Sequence, residues 1–545
     1  MLHGLMMDEP LLITSIMQFA ERHHGDREIV SVTADIPVHR YTYREAFARV
    51  RRLANVLAGF GLEAGDRVAT LAWNDHRHFE LYYAVSCSGN VLHTINPRLF
   101  PAQIAYIVKH AEDRVLFVDP MFLPLLEALG PALDKVAAVV VLTDRAHLPA
   151  TSLPDVLCYE DLLAAQSTGF DWPVLDEQAA SSLCYTSGTT GEPKGVLFSH
   201  RSTVLHSYAV CLPDAMSLGA RACVLPLVPM FHVNAWGAPY AVPLVGAKLV
   251  LPGASMADGA QLHALINAEQ VDYALGVPTI WLALLDHLDA HDLQVPSLQR
   301  VCVGGAACPA SIIERFADNY QVEVFHAWGM TEMSPVGTYN RPKRARPDPL
   351  SEDDAALKLR QGRSLFGVDM RIVDGEGGEL PWDGTTVGAL QVRGPWVARA
   401  YFRAGSGCLT ADGWFDTGDV ANIDPDGFML ITDRSKDVIK SGGEWISSIE
   451  LENLAVNHPA VVEAAVIGRP HPKWDERPLL VAVVAAGRSI ERDELLGWYA
   501  GKVATWWVPD DVAFVDELPH TATGKLDKKA LREQFADYRF PPADD

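Results

Sequence analysis

The stretch YTSGTTGEPKGV at residues 185–196 says more about this chain than any other. Glycine lets the backbone turn tightly and approach a ligand closely. Successive backbone N–H groups and hydroxyls can then bind phosphate oxygens, while a lysine supplies the counter-charge. The stretch therefore predicts a phosphate-binding loop, against the simpler alternative of a flexible turn. The residues expected to do this are Thr186, Ser187, Gly188, Thr189, Thr190 and Lys194.

The loop is not a Walker loop. That motif needs G-x-x-x-x-G-K-[ST] leading straight into a helix. Here Lys194 precedes Gly195 and then the apolar pair Val196 and Leu197. The spacing therefore disfavours a phosphate-loop NTPase.

Length and charge bound the remaining possibilities. A chain of 545 residues is too long for one core, so we expect two or more domains. The net charge of −24 argues against a nucleic-acid or anionic-membrane partner, since either requires a basic face. A phosphate site must then build its positive potential locally.

The cysteines and the apolar runs indicate the compartment. Eight cysteines are scattered without a C-x-x-C pair, which predicts buried thiols in a reducing compartment and neither disulfides nor a zinc site. No apolar run approaches the ~18 residues that span a membrane. The start is acidic where a secretory signal is basic, and the end, PPADD, carries no known address. We expect a cytoplasmic protein.

The order of elements predicts an α/β fold. Residues 41–60 have helical apolar spacing and end at Gly61, a plausible C-cap. Strand-like runs at 67–73, 114–120, 247–252, 272–278 and 300–307 alternate with helical patterns. Such alternation predicts layered α/β architecture with mostly parallel sheets.

The pattern of apolar residues changes in the last third of the chain. From about 366 to 432, short β-like runs separated by turns predict a small antiparallel sheet or barrel. A charged cluster and a Gly-Gly turn at 433–452 mark a boundary, after which strands with helices between them are expected. We therefore predict a large N-terminal domain, 1–433, with a β-barrel-like part, and a small α+β C-terminal domain, 434–545.

Four further segments carry reactive side chains. PMFHVNAWGAPYA (229–241) holds His232 and Trp236, and HAWGMTEMSP (326–335) holds Glu332. ADGWFDTGDV (411–420) holds Asp419, and HTATGKLDKKALR (520–532) holds Lys525. Singly, each has a structural explanation: a packed histidine, a core indole, a helix cap, a turn aspartate and a solvated lysine run. Jointly, and in this order, they indicate a site.

The ordered set YTSGTTGEPKG, GMTE, DGWFDTGD, DRSKDVIKSGGE and TGK resembles the adenylate-forming acyl-CoA synthetase superfamily over essentially the whole chain. The strings VPMFHVNAWG and IKSGGEWISSIELE resemble bacterial medium- and long-chain fatty acyl-CoA ligases, particularly the medium-chain type linked to alkane use. Ligases for short thioether acids share much of this pattern.

This resemblance implies a two-step reaction. A carboxylate attacks the α-phosphate of Mg·ATP, giving acyl-adenylate and pyrophosphate, and the thiol of CoA then displaces AMP. Two anions at ~4 Å and an effective dielectric near 20 repel by about 4 kcal/mol, which is roughly a thousandfold in rate. Lys525 matches the family's lysine that lies between them. Positioning and charge neutralisation do the catalysis.

The resemblance also assigns roles. The loop residues would hold the β- and γ-phosphates, Trp328 would stack on adenine where many relatives have tyrosine, and Thr331 would touch the α-phosphate. Glu332, with Thr186, would hold Mg²⁺, which prefers hard oxygen ligands. Asp419 and Arg434 would bind the ribose, and His232 is a candidate catalytic side chain. Gly304, Gly305 and Ala306 would form a wall between nucleotide and acyl group. The nucleotide site would also include Gly305, Ala306 and Gly329, and the acyl site Val303, Gly304, Met333 and Pro335.

A mobile small domain is implied as well. Lys436 matches the hinge position, where many relatives carry aspartate. Lys525 would serve the first half-reaction, and the turn Ser441, Gly442 and Gly443 would line the pantetheine channel in the second. Lys440 and Trp445 flank that turn and would contact the nucleotide, and Trp236 matches an indole that gates the acyl tunnel.

The acid is the open part of the prediction. The acyl region is apolar and lacks a carboxylate, which favours a linear aliphatic acid of medium chain length over an amino acid. A short thioether or aromatic acid is the alternative, as is an acyl-adenylate ligase that serves a carrier protein. A nucleotide-binding regulator is disfavoured because Glu332 and Lys525 are both present. Relatives suggest a homodimer.

Overall fold

The computed structural model describes residues 1–33, 35–186, 192–343, 352–434, 436–441, 444–520 and 526–540, without the side chains of 352–355, 440, 444 and 445. Ser187, Gly188, Thr189, Thr190, Gly442, Gly443 and Lys525 therefore lie outside the described residues, as do the side chains of Lys440 and Trp445.

The strands are β1 (Glu28–Ser31), β2 (His39–Thr42), β3 (Arg67–Leu71), β4 (Val91–Thr94), β5 (Asp113–Val118), β6 (Ala138–Val141), β7 (Leu157–Cys158), β8 (Ala180–Tyr185), β9 (Gly195–Ser199), β10 (Cys223–Pro226), β11 (Lys248–Leu251), β12 (Tyr273–Gly276), β13 (Arg300–Val303), β14 (Glu323–Gly329), β15 (Val336–Tyr339), β16 (Arg363–Ser364), β17 (Asp369–Val373), β18 (Gly388–Arg393), β19 (Phe415–Ile423), β20 (Met429–Arg434), β21 (Ile439–Ser441), β22 (Glu444–Ile446), β23 (Val461–His471), β24 (Asp475–Val484) and β25 (Asp511–Val515).

The α-helices are α1 (Ile13–His24), α2 (Tyr43–Gly59), α3 (His76–Cys87), α4 (Pro101–Ala111), α5 (Leu123–Leu129), α6 (Tyr159–Ala164), α7 (His200–Cys211), α8 (Ala238–Leu244), α9 (Gly259–Glu269), α10 (Pro278–His291), α11 (Ala310–Tyr320), α12 (Glu352–Leu359), α13 (Ser448–Val456), α14 (Arg492–Gly497) and α15 (Lys528–Gln534). Among them none is both long and apolar enough to cross a bilayer, a finding that covers only the described residues.

Two large sheets carry most of the N-terminal part, and both are mainly parallel, as predicted. One runs in the order β7-β6-β5-β3-β4-β8-β9, with only its last strand pairing antiparallel within the described chain. The other runs β16-β15-β14-β13-β12-β10-β11-β1-β2. One core between the sheets contains side chains from α1, α2, α3, α7 and α8 and from strands of both sheets. Separate cores cover the outer faces.

Helix α3 is buried along its whole length in this middle layer. Its Arg77 side chain, 2% exposed, forms ion pairs with Asp35 at 2.9 Å and Glu160 at 2.8 Å. Arg49 of α2 also pairs with Glu160, at 3.0 Å. Buried charges are tolerated when they are paired and hydrogen-bonded. This network therefore connects α2, α3 and α6, with Arg77 buried and Arg49 and Glu160 partly exposed.

Local signals explain where α2 begins and ends. The Thr42 hydroxyl accepts a hydrogen bond from the Glu45 backbone N–H, and Glu45 accepts one from the Thr42 N–H, which forms a capping box. The helix ends at Gly59, and Gly61 has a φ of 66°. The prediction of a helix ending near Gly61 is therefore confirmed.

The later part of the chain confirms the predicted antiparallel sheet and corrects two finer expectations, the barrel and a helix. Strands β17, β18, β19 and β20 form an antiparallel sheet in chain order, and the described residues form no closed barrel, so the barrel-like part is an open sheet. Strands β23 and β24 form one hairpin, with Val461 opposite Val484 and His471 opposite Asp475. The expected helix between these two strands is therefore wrong. The last sheet runs β22-β21-β24-β23, with β25 beside β24.

The cysteines are free thiols, and most of them are buried. Burial raises the pKa of Cys184 to about 11 and that of Cys87 and Cys302 to about 12. Burial also raises the pKa of Cys158 and Cys408.

Replacing Arg77 by leucine should lower the free energy of unfolding by about 3–5 kcal/mol, because it leaves the Asp35 carboxylate, 7% exposed, without its cation and leaves Glu160 with Arg49 alone. Arg145→Leu is the matched control, since Arg145 pairs with Asp161 while 66% exposed. That control should change stability by about 1 kcal/mol or less. Urea unfolding followed by fluorescence measures both. A loss in Arg77→Leu no larger than in Arg145→Leu would contradict a stabilising role for the network.

Candidate active site

The predicted site residues follow the carboxyl ends of parallel strands. Thr186 follows β8 in one sheet, while Gly304 and Thr331 follow β13 and β14 in the other. Ligands of open α/β sheets bind at this edge. The segment after β10 joins the two edges, because the Asn234 amide donates to the Ser182 hydroxyl at 3.3 Å.

The stem of the Ser/Thr/Gly loop is fixed in place. The Thr186 N–H donates to the Lys194 carbonyl at 2.9 Å, which closes the hairpin of β8 and β9. The Phe402 N–H donates to the Gly195 carbonyl at 2.7 Å. A Cβ at Gly195 would lie 3.1 Å from the Phe402 Cβ, so this glycine permits the close approach.

Tyr401 connects this stem to Glu332. The Lys194 Nζ lies 4.9 Å from the centroid of the Tyr401 ring, which is a cation–π distance. The Tyr401 hydroxyl donates to the Glu332 Oε1 at 2.7 Å. Burial and the Glu332 carboxylate raise the pKa of Tyr401, so its hydroxyl stays protonated and remains a donor. Tyr401 therefore links the loop stem to Glu332.

Glu332 lies in a tight turn that is closed on itself. Thr331, Glu332 and Met333 form a single 3₁₀ turn, and Thr331 and Glu332 are each 7% exposed. The Met330 N–H donates to the Pro335 carbonyl at 3.1 Å. A Cβ at Gly329 would lie 2.1 Å from the Pro335 carbonyl oxygen, so no side chain fits there. The turn is thus held at its base.

Trp328, Asp419 and Arg434 meet as one group. The Trp328 Nε1–H donates to the Asp419 Oδ2 at 2.9 Å, and the Arg434 Nε lies 3.5 Å from the Asp419 Oδ1. Asp419 in β19 stands opposite Arg434 in β20. The three residues predicted to bind the nucleoside are therefore neighbours.

The acyl-side segment has an unusual backbone. Residues 233–236 have φ values of 46–56°, and Gly237 follows at 83°. This left-handed region costs non-glycine residues free energy, and such strain clusters at functional sites. A Cβ at Gly304 would lie 2.8 Å from the Trp236 Cη2. The indole therefore packs directly on the glycine that was predicted to form the wall.

The other residues predicted for the wall and the acyl site are mainly apolar. Val303, Met333 and Pro335 are buried, Gly305 has a φ of 79°, and the Ala306 carbonyl lies 3.3 Å from the His326 Nε2. His232 stands at the start of the left-handed segment, and its N–H donates to the Pro229 carbonyl at 3.1 Å. The catalytic role of His232 stays a prediction.

The predicted hinge and CoA-channel residues lie elsewhere. The Ser441 hydroxyl accepts from Arg477 at 3.1 Å within the last sheet. The Lys436 carbonyl accepts from Arg532 of α15 at 3.3 Å. Burial lowers the pKa of Lys436. Their assigned roles, like that of Lys525, stay predictions.

Sequence reasoning missed Tyr401 and Arg98. Tyr401 is 69 positions from Glu332 and belongs to no recognisable motif. Arg98 follows β4, and its guanidinium carbon lies 5.5 Å from the centroid of Trp73, which follows β3. Arg98 therefore adds a cation to the sheet edge that also carries Thr186.

Comparison with known proteins agrees with this geometry. The AMP-binding enzyme family matches residues 17–402, and the AMP-binding enzyme C-terminal domain matches residues 450–525. The solved structure of the anthranilate CoA ligase AuaEII with anthranoyl-AMP has a TM-score of 0.84 at 26% identity, covering 98% of this chain and 99% of that one.

Two curated relatives are similar over nearly their full lengths. The 3-methylmercaptopropionyl-CoA ligase of Ruegeria lacuscaerulensis is 53% identical, covering 98% of this chain and 99% of its own. The medium-chain-fatty-acid–CoA ligase of Ectopseudomonas oleovorans is 51% identical, covering 98% of each. The chain belongs to the AMP-binding enzyme family and is an AMP-forming acyl-CoA ligase.

Proposed function

We propose that this ligase activates a linear aliphatic acid of short to medium length, either a medium-chain fatty acid or a short thioether acid. The contact of Trp236 with Gly304 carries the proposal, because it makes an apolar wall beside the nucleotide residues. The segment 229–241 contains no carboxylate that could receive an amino group. The two relatives differ in the acid they are named for but are almost equally similar to this chain.

The nucleotide would lie between the two sheet edges. Thr186, Lys194 and the loop residues from Ser187 to Thr190 are proposed to bind the phosphates, and Thr331 the α-phosphate. Trp328 is proposed to stack its ring face on adenine. Asp419 and Arg434 are proposed to bind the ribose. The hydrogen bond from Trp328 to Asp419 would keep these two side chains in register for one nucleoside.

Glu332 and Thr186 are the proposed residues for Mg²⁺. Glu332 is a nearly buried carboxylate, and its neighbour Tyr401 donates to one oxygen, which leaves hard oxygen ligand capacity. The donor set therefore fits this ion. When bound, Mg²⁺ would offset the charge of the phosphates, while Tyr401 orients the carboxylate that holds it.

The chemistry needs no covalent enzyme intermediate. The substrate carboxylate attacks the α-phosphorus and pyrophosphate leaves. The CoA thiol then attacks the acyl carbon and AMP leaves, with the thiol proton passing to solvent. Lys525 is proposed to offset the repulsion between carboxylate and phosphate, about 4 kcal/mol at ~4 Å. Ser441, Gly442 and Gly443, flanked by Lys440 and Trp445, are proposed to line the thiol channel.

Several coarser features are proposed with this function. The domain boundary lies near 433–434, since the strands from β21 onward have their own cores. Lys436 would act as the hinge. Free, buried cysteines support a reducing, cytoplasmic setting. A homodimer is proposed from the family resemblance alone.

A panel of acids from four to eighteen carbons, including 3-methylmercaptopropionate and aromatic acids, tests the function. CoA-dependent release of AMP and pyrophosphate should peak with a short or medium-length aliphatic acid. A peak with aromatic acids would contradict the proposed acid. Adenylate that accumulates without turnover by CoA would favour the carrier-protein alternative, and release of ADP and orthophosphate would contradict the reaction.

Lys525→Ala should lower the rate of adenylate formation by roughly a thousandfold while sparing thioester formation from supplied acyl-adenylate. The reason is that only the first step brings two anions together. Lys529→Ala, at a lysine 62% exposed in the same tail, is the control and should change neither step. Equal loss of both half-reactions in Lys525→Ala would count against the assignment. Rapid-quench measurement of each half-reaction separates these outcomes.

Gly304→Ala should raise KM for the acid more than KM for ATP, because its Cβ meets the Trp236 ring at 2.8 Å. Overpacking of this kind costs about 1–3 kcal/mol, which is roughly five- to 150-fold in kcat/KM. Adding Trp236→Phe, a smaller ring, should restore part of the loss. An unchanged KM for the acid in Gly304→Ala would indicate that Trp236 has a purely structural role.

A further inference from the structure

His206 lies between the two halves of the proposed site. It belongs to α7, is 1% exposed, and was not among the residues that the sequence singled out. The Val336 N–H donates to its Nε2 at 3.1 Å. A Cβ at Gly237 would lie 2.8 Å from its Cε1 and 2.9 Å from its Nδ1. The imidazole therefore touches the backbone of both segments.

The first of these segments carries Trp236. Gly237 ends the left-handed run that starts at residue 233, and its own φ is 83°. Any shift of the indole on Gly304 must be absorbed by this short run, because Asn234 is held to Ser182 at 3.3 Å. The run can therefore transmit a shift of the indole only through its other end, at Gly237, which lies against the edge of the His206 imidazole.

The second segment carries Thr331 and Glu332. Met330 and Pro335 close the base of that turn, and Val336 is the next residue along the chain. Val336 stands opposite Gly329 where the register of β14 and β15 shifts, and its N–H is bound by His206. The imidazole thus fixes the exit of the turn that presents Glu332. The Trp396 ring lies edge-on to the His206 ring, with 6.1 Å between the ring centroids. The Trp396 carbonyl also accepts a hydrogen bond from the Ser334 hydroxyl at 3.1 Å.

The protonation state of His206 is consistent with a role in holding both segments. Nε2 accepts a backbone N–H, so the neutral ring carries its proton on Nδ1. Burial lowers the pKa of His206 to about 3. The ring therefore stays neutral in the physiological range, and its contacts hold throughout.

We infer that His206 is a positioning residue that couples occupancy of the acyl site, through Gly237, to the Thr331–Glu332 turn, through Val336. This inference rests on the proposed function, because it needs an acid beside Trp236 and a nucleotide beside Glu332. Coupling of this kind is reciprocal: the acid tightens nucleotide binding by the same factor by which the nucleotide tightens acid binding.

Calorimetry on the full chain measures the coupling factor, the ratio of acid dissociation constants without and with α,β-methylene-ATP and Mg²⁺. The probes are octanoate and 3-methylmercaptopropionate. We expect a factor of about five or more in the wild type. It should fall to about one in His206→Phe, which keeps the ring but removes the acceptor. His206→Gln, which can present an oxygen near the Nε2 position, should retain most of it.

His200 offers a matched control on the same helix. It is also buried, and it accepts the Ile13 N–H at 3.3 Å, away from the site. His200→Phe removes an acceptor from a buried N–H in the same way, so it should cost stability without changing the coupling factor. If His206→Phe does not fold, His206→Asn takes its place, because its side chain is too short to reach Val336.

The outcomes separate the two proposals. A wild type without coupling, folded His206 variants that keep the wild-type factor, or equal loss in His200→Phe would each overturn the inference and leave ligase activity intact. A wild type that neither binds these acids nor releases pyrophosphate with them overturns the proposed acid class, and the coupling falls with it.

Discussion

Helix α3 and its neighbours set the distance between the two sheets. The loop stem at Thr186 belongs to one sheet and the Glu332 turn to the other, so neither strand order alone brings them together. The middle layer of side chains does this, with α3 buried along its length and Arg77 paired inside it. A close-packed interior transmits displacement rather than absorbing it. The relative position of the loop stem and the Glu332 turn therefore depends on the packing of this middle layer.

Charge is the second constraint, and it is handled locally. The chain carries a net charge of −24, yet its site must hold a triphosphate and a carboxylate. Lys194 lies over the Tyr401 ring instead of forming an ion pair with Glu332, and Tyr401 satisfies the carboxylate with a neutral hydroxyl. This arrangement separates cation from anion while keeping both beside Tyr401. A direct ion pair would have to be broken before either group could serve a ligand.

The sequence predicted what depends on local patterns. Alternation and capping located α2 and the parallel strands, and short motifs named Thr186, Glu332 and Asp419, which belong to or follow strands of three different sheets. Contacts across long chain separations could not be predicted. Tyr401 meets Glu332, and His206 meets Val336, because sheets pack and not because a motif repeats. The hairpin of β23 and β24 was missed because apolar runs do not reveal what joins them.

The buried thiols have a consequence for an enzyme that makes thioesters. A thiolate, not a thiol, attacks an acyl carbon, and the raised pKa of Cys184, Cys302 and Cys408 keeps these side chains protonated. Cys184 directly precedes the segment 185–196 in the chain. Because its sulfur stays unionised, acylation of Cys184 by an activated acyl group is disfavoured. Among these three thiols, the incoming coenzyme then meets no competing thiolate.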